Sequence, residues 1–463
     1  MQVRQARPGD PGDATDFDVD TLIIGAGACG MTAALAAKEA GREVLVLERD
    51  PVPSGSTALS AGLIPAAGTR FQRAAGIADT PEIFARDIQK KAHDDNDPAL
   101  VEALTREAGP TIEWLADRFG LPFSVIDDFN YPGHSHRRMH GLPSRSGREL
   151  VDRLRTACEE NGIDIVCERL ATTLIADADG RVLAVEAQRP DGGIERIGCE
   201  RLILACNGFG GNREMVRRYT PAIADALYFG HPGNTGEAMV WGEQLGAAIR
   251  HPSAYQGHGN VAHPHGILIT WGVITQGGFQ ANLEGRRFWN EAQGYSEAAR
   301  AVMGQPDGVA FAIFDRRIAG IAGQFADYQD ALAQGAIREA ETIEGLAQAT
   351  GLPAQALAET LAEVEAAKAE GARDRFGRDF AGVAPLAAPY CAVRVTGALF
   401  HTQGGLDADA SGRVRRVAGG FLPNLRAAGG AACGVSGKSD SGYLSGNGLL
   451  TAVVMGRAAG AWV

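Results

Sequence analysis

Apolar runs and helical stretches alternate from the first ordered-looking segment of the chain. Val19-Asp20-Thr21-Leu22-Ile23-Ile24 is rich in β-forming side chains, Ala28 to Ala40 has helix-forming composition, and Glu43-Val44-Leu45-Val46-Leu47-Glu48 is a second apolar run. Two such runs joined by a helix predict a βαβ unit, the start of a parallel sheet. Apolar positions three and four apart predict helices within Pro81 to Phe119 and Arg148 to Asn161. Thr173 to Glu186, interrupted by Asp177-Ala178-Asp179-Gly180, predicts a hairpin, and Arg201-Leu202-Ile203-Leu204-Ala205 a further buried strand. Pro221 to Asp327 mixes short strands with glycine-rich turns, Ala340 to Glu370 is helical, and strands resume after Pro389. Gly448 to Trp462 closes the chain as a helix of small residues. The pattern predicts an α/β fold: a Rossmann-like domain, interrupted by an inserted block and completed by the C-terminus.

Composition narrows the class. A chain of 463 residues can form two or three domains. Its 61 glycines are about 13% of the chain, nearly double the usual ~7%, as many tight turns and close approaches to a ligand would require. A net charge of −12 argues against nucleic acid or an anionic membrane as the main partner. The seven cysteines form no C-x-x-C, which removes support for a zinc ribbon, a redox pair or attached haem, and no metal site is expected. Residues 1–16 are polar, with Pro and Gly but no apolar core, and read as a flexible tail. No apolar run reaches the ~18 residues of a membrane span, so a cytoplasmic enzyme is expected.

Gly25-Ala26-Gly27-Ala28-Cys29-Gly30 matches G-x-G-x-x-G between a predicted strand and a predicted helix. Gly25 permits the turn, Gly27 the approach of a pyrophosphate, and Gly30 the close packing of helix on strand. Phosphate then meets the free N–H groups of the helix N-terminus, at Ala28 and Cys29. Glu48 ends the second strand where an acid accepts from ribose hydroxyls, with Arg49 beside it. NAD and FAD share this fingerprint. Only one copy occurs, whereas reduction of a bound flavin by NAD(P)H would normally need a second nucleotide fold, so FAD is the expected cofactor.

Further motifs resemble the fumarate reductase/succinate dehydrogenase flavoprotein family. They are Ser54-Gly55-Ser56-Thr57-Ala58-Leu59-Ser60-Ala61-Gly62, Leu204-Ala205-Cys206-Asn207-Gly208-Phe209-Gly210-Gly211-Asn212 and Asn234-Thr235-Gly236-Glu237-Ala238. Two more specific signatures are Asn282-Leu283-Glu284-Gly285-Arg286-Arg287-Phe288-Trp289-Asn290-Glu291 and His401-Thr402-Gln403-Gly404-Gly405-Leu406. The usual Thr-Gly-Gly is altered here to Cys206-Asn207-Gly208. The resemblance implies a split FAD-binding domain over residues 17–250 and 400–463, with an α+β cap over 251–399. It implies cofactor contacts from Ser54, Ser56, Thr57, Ser60, Ala61, Gly62, Cys206, Asn207, Gly208, Thr235, Gly236 and Glu237. From the C-terminal part it adds Gly404, Gly430, Ser445, Gly448 and Leu449. No histidine occurs between Ser54 and Ala66, so the FAD is expected to be noncovalent.

The catalytic positions depart from the fumarate reductases. Tyr295 stands where the family's acid arginine is expected, and Tyr443 where its carboxylate-binding arginine is expected. Trp271 and Ile274 replace the charged proton relay. Tyrosines at both places resemble the 3-ketosteroid dehydrogenases of the same superfamily. Hydrogen removal beside a carbonyl needs a base for the α proton, a donor for the enolate oxygen and a flavin to take the hydride. Tyr295 and Tyr443 are the candidates, in either assignment, with Ser445 in the donor chain and backbone N–H groups near Gly446–Gly448 polarising the carbonyl. His401 and His258 match positions that bind substrate oxygens, although His263 or His265 would replace His258 after a small gap. Thr270, Trp271, Gly446 and Asn447 complete the expected substrate wall. His134, His136 and His140, near Arg137 and Arg138, read as a basic loop.

The expected activity is therefore an FAD-dependent desaturase or ene-reductase acting beside the carbonyl of a cyclic ketone. The rival is an organic-acid enzyme of the fumarate or tricarballylate kind. A flavoprotein subunit that only carries electrons is the alternative of another class. The electron partner is unknown from the sequence.

Overall fold

The computed structural model describes residues 1–7, 13–127 and 130–462. The chain divides into two compact units: Met1–Thr220 with Gly230–Tyr255 and His401–Val463, and Pro221–Phe229 with Gln256–Phe400.

The first unit is built on a sheet ordered Gln2–Gln5, Leu170–Ala176, Val182–Gln188, Ile194–Leu204, Phe17–Ile24, Val44–Leu47 and Asp164–Val166. Phe17–Ile24 lies parallel to both Ile194–Leu204 and Val44–Leu47, and Phe421–Ala427 also joins Ile194–Leu204 in parallel. Helix Ala28–Glu39 follows the first parallel strand and is buried from Ala28 to Ala37. The predicted small-residue helix of the C-terminus is Asn447–Leu450, a π-turn at Thr451–Met455, then Gly456–Ala461. Its small residues have a packing cause. A Cβ on Gly456 would lie 2.6 Å from the Cys29 carbonyl oxygen, and one on Gly460 would lie 2.0 Å from that of Ala33. The expected hairpin forms between Leu170–Ala176 and Val182–Gln188.

The N-terminal tail departs from expectation. Gln2–Gln5 is a strand, pairing in parallel from Gln2 with Thr173 to Gln5 with Ala176. The edge of Leu170–Ala176 offers unmatched backbone groups, and a polar tetrapeptide can satisfy them without an apolar signal of its own. Residues 8–12 of the expected tail lie outside the described residues.

The second unit is an α+β body whose sheet runs Ile267–Leu268, Tyr255–Ala262, Tyr390–Thr402, Val309–Asp315, Phe279–Ala281. Val309–Asp315 is buried at every position, as expected of a strand covered on both faces. The helical stretch expected over Ala340–Glu370 is two helices, Ile343–Thr350 and Ala354–Glu370, separated at Gly351 and Pro353. The boundaries differ from the 251–399 block. Leu227 and Tyr228 pair with Ala398 and Leu399, which draws Pro221–Phe229 into the second unit. Gln403 N–H donates to the Ala254 carbonyl, which keeps the residues just before Gln256 with the first.

Of the predicted basic loop, Arg137 is exposed and His136 half-buried, but His134, Arg138 and His140 are buried. Arg138 is 1% exposed and donates to Asp79 through Nε at 2.9 Å and Nη2 at 3.1 Å, and to Asp87 through Nη1 at 2.6 Å. His134 accepts from Arg138 at Nδ1, 3.3 Å away, and places Nε2 3.0 Å from the Ser445 carbonyl. His140 bonds Thr69 Oγ1 at 2.8 Å. Burial lowers both imidazoles to about 4, so they are neutral. Removing one member of a buried ion triad leaves uncompensated charge, which typically costs ~3–5 kcal/mol. Arg138→Met is accordingly expected to lower unfolding stability by about that amount in urea titration. A change within ~0.5 kcal/mol, the ordinary effect of a surface substitution, would contradict the burial.

Candidate active site

The first βα turn is shaped by backbone contacts. Gly25 has φ +107°, a region closed to other side chains, and its added Cβ would lie 2.6 Å from the Ala205 carbonyl oxygen. A Cβ at Gly30 would meet the Gly25 carbonyl at 1.8 Å. At Gly27 the nearest neighbour is Thr57 Oγ1 at 3.5 Å, so this face is open to a ligand. Glu48 is buried and accepts from Ala26 N–H at 2.9 Å and Asp50 N–H at 3.0 Å. Burial outweighs these donors and raises its carboxyl above the ordinary value.

The flavin-loop candidates gather on the same helix end. Ala28 N–H donates to Thr57 Oγ1 at 3.2 Å. Ser60 Oγ donates to the Thr57 carbonyl and accepts from Gly62 N–H, while Ser60 O accepts from Gly147 N–H. Ser54 precedes the short helix Gly55–Ala58. Ser56 Oγ accepts from Asn234 Nδ2 at 2.8 Å, tying this loop to the Thr235–Glu237 turn. There Thr235 Oγ1 donates to Glu237 Oε1, Arg49 Nη1 reaches the same oxygen at 3.2 Å, and Gly236 N–H donates to Gly208 O. Ala61 is exposed. Burial pushes the Cys29 thiol up to about 12 and raises Cys206 too, so both thiols stay protonated. Asn207 takes positive φ, +67°, where the family pattern has glycine. Two buried acceptors of this unit, Glu237 Oε2 and Asn447 Oδ1, meet no protein donor. With the open face at Gly27, they fit a cofactor whose own donors complete the site.

The C-terminal candidates lie in the same unit. Tyr443 is 7% exposed, and its oxygen accepts from the N–H groups of Gly448 and Gly446. Those donors were expected to face a substrate carbonyl; they are turned onto the phenol. Burial nevertheless pushes the phenol up to about 12. Ser445 contributes its carbonyl to His134, and Leu449 is half-buried on Asn447–Leu450. His401 is neutral, lowered to about 4 by burial, and its Nδ1 lies 2.7 Å from Gln403 Nε2. Gly404 packs on the His251 carbonyl, 1.9 Å from where its Cβ would stand.

In the second unit His258 is 6% exposed, and burial lowers it to about 3. Its ring stacks on Tyr295 at 4.9 Å and on Phe400 at 5.4 Å, with Trp271 edge-on at 5.9 Å. Asn260 N–H donates to His258 Nδ1 at 3.2 Å, so a neutral ring carries its proton on Nε2. Tyr295 opens the helix Tyr295–Met303. Thr270 Oγ1 accepts from Gly272 N–H, capping the turn that carries Trp271. The structure thus joins His258, Tyr295 and Trp271. His263 and His265, the alternatives to His258, lie past it, beyond the end of strand Tyr255–Ala262. Sequence reasoning missed Phe400 and Phe229, which stack at 4.8 Å, and the partners of His401. The i, i+2 spacing of His401 and Gln403 was the available signal.

The unit's buried arginines are committed elsewhere. Arg287 pairs with Glu291 at 2.5 Å and with Asp374, and Arg378 donates to the carbonyls of Gly278 and Ile274, both at 2.9 Å. Among the described residues no cluster could hold a metal ion, and no helix is long and apolar enough to cross a membrane.

Residues 20–449 match the FAD binding domain family. The chain is 31% identical over 463 residues to a probable fumarate reductase of Shewanella frigidimarina, covering 99% of this chain and 76% of that protein. The open form of a flavocytochrome c3 fumarate reductase superposes with TM-score 0.82 at 29% identity, covering 97% of this chain and 78% of that one. The 3-ketosteroid-Δ4-(5α)-dehydrogenase of Rhodococcus jostii RHA1 superposes with TM-score 0.81 at 25% identity, covering 99% of both chains. The chain belongs to the FAD-binding flavoproteins of the fumarate reductase family. It is an FAD-dependent oxidoreductase of the group that works on carbon–carbon bonds.

The cradle predicts that purified protein is yellow and that acid precipitation releases intact FAD, because no histidine stands in the Ser54–Ala66 loop. Flavin retained on the precipitated chain in absorbance of pellet and supernatant would contradict noncovalent binding.

Proposed function

We propose that the protein adds or removes hydrogen across a C–C bond beside a carbonyl group, on a ring ketone in preference to a dicarboxylic acid. The observation that carries this reading is the uncharged aromatic surround of His258. Tyr295, Phe400 and Trp271 pack on a neutral imidazole, and the buried guanidiniums of the same unit, Arg287 and Arg378, are held by Glu291, Asp374 and backbone carbonyls. A dicarboxylate clamp needs bidentate cations. A planar, neutral carbonyl compound is better suited to aromatic faces and single N–H or O–H donors. The likeness to a ketosteroid dehydrogenase supports the same class.

The two tyrosines take different roles. Tyr443 stays protonated at neutral pH and accepts two backbone N–H groups, which polarise its O–H and strengthen it as a donor to a carbonyl or enolate oxygen. Proton exchange at the α-carbon then falls to Tyr295. His258 and His401, both neutral, hold substrate oxygens and do not carry the proton. FAD, when bound, supplies the hydride acceptor or donor.

Phenylalanine at either position keeps the ring and deletes the hydroxyl. Tyr295→Phe is expected to lower kcat by ~10²–10⁴ as loss of a proton-transfer group does. Tyr443→Phe is expected to lower it by ~10²–10³ as loss of an enolate donor does. Flavin content should be unchanged in both. Steady-state turnover of both variants within a few-fold of the parent would make the tyrosines packing residues and remove the proposed chemistry.

A further inference from the structure

His401 ends a chain of buried polar side chains. Asn447 Nδ2 lies 3.0 Å from Ser436 Oγ, Ser436 Oγ 3.0 Å from Gln403 Oε1, and Gln403 Nε2 2.7 Å from His401 Nδ1. Asn447, Ser436 and Gln403 are 0%, 1% and 4% exposed, so solvent cannot satisfy them in place of one another. Such a chain has two self-consistent polarities. Read outward from Asn447, each group donates to the next, Gln403 donates to Nδ1, and the ring's own proton lies on Nε2. Read in reverse, Nδ1–H donates to Gln403 and Nε2 is left as a bare acceptor.

The surroundings of Nε2 select the first. A Cβ on Gly430 would stand 3.0 Å from His401 Nε2 and 2.1 Å from Asn207 Oδ1, so both atoms border the same glycine. Asn207 Oδ1 is fixed as the oxygen of its amide because it accepts the Gly208 N–H at 2.8 Å. A bare Nε2 would set a second acceptor beside the glycine that the Asn207 amide oxygen already borders, whereas Nε2–H sets a donor beside it. Burial also keeps the ring from becoming an imidazolium that would satisfy both neighbours.

We propose that Gln403, held by Ser436 and Asn447, is a positioning residue that locks His401 as an Nε2–H donor for a substrate oxygen. The inference rests on the reading of His401 as a substrate-oxygen ligand. It makes His401 a fixed hydrogen-bond donor in both directions of the reaction and excludes it as the base.

The test is the nitrogen spectrum of the FAD-loaded enzyme labelled with ¹⁵N-histidine, with the His401 signals identified by their loss in His401→Asn. Nδ1 should resonate as an unprotonated acceptor nitrogen and Nε2 as a protonated one. Gln403→Glu, whose carboxylate only accepts, should exchange the two, and Gln403→Leu should leave a mixture. Both variants should raise KM about tenfold, the effect of losing one oriented hydrogen bond, with a smaller change in kcat. A protonated Nδ1 in the parent enzyme would overturn the proposal, as would Gln403→Glu with both signals unmoved. If neither variant folds, the parent spectrum alone decides. A failed ketone assignment would leave the spectrum as stated, whereas a failed lock changes the spectrum whatever the substrate.

Discussion

Three stretches of backbone meet at the N-terminal end of helix Ala28–Glu39, and the first unit depends on how closely they do so. Gly30 lets the helix sit on the carbonyl of Gly25, and Gly456 and Gly460 let the last helix sit on the carbonyls of Cys29 and Ala33. A side chain at any of these positions would overlap backbone, which cannot rotate away. The closeness leaves the helix N-terminus framed by Thr57 on one side and open beside Gly27 on another. Thr57 Oγ1 takes the Ala28 N–H, and the helix dipole still favours a pyrophosphate on the open side beside Gly27. The returning C-terminus therefore completes the cofactor domain physically as well as topologically.

The same return delivers His401, Tyr443 and Asn447 into the cofactor unit, while His258 and Tyr295 belong to the inserted one. Burial acts on these groups in one direction: both imidazoles are driven neutral and the Tyr443 phenol is kept protonated. In the proposed function the groups offered to a ligand are therefore donors without charge. That proposal separates the scaffold motifs, which the fumarate reductases share, from the charge of the substrate wall, which different residues set. Arg138 shows that the protein does bury cations, but this one is paired with two aspartates and reaches the Ser445 carbonyl only by way of His134.

What could be read from the sequence was local. Gly25 to Gly30, Glu48 and the flanking apolar runs lie within thirty-odd residues, so strand, turn and helix announce themselves together. Structure made by distant residues was hidden. Arg138 looked like part of a basic loop because its partners Asp79 and Asp87 are 59 and 51 residues away. Gln2–Gln5 has no apolar alternation, and its strand exists only because the edge of Leu170–Ala176 is free to accept it. Gly446 and Gly448 were legible as donors, but not that their N–H groups turn onto Tyr443. The Gln403–Ser436–Asn447 chain joins three segments that no periodicity connects.

The claim that this site handles a neutral carbonyl compound is tested most directly by reoxidation of its flavin. Enzyme reduced anaerobically by light is mixed with cyclic enones and, separately, with unsaturated diacids such as fumarate, and the return of the oxidised flavin band is followed. Rapid reoxidation by enones with little by diacids is the predicted result. Rapid reoxidation by diacids alone would contradict it and return the protein to the organic-acid reductases, and reoxidation by neither class would contradict it in favour of an electron-carrying flavoprotein.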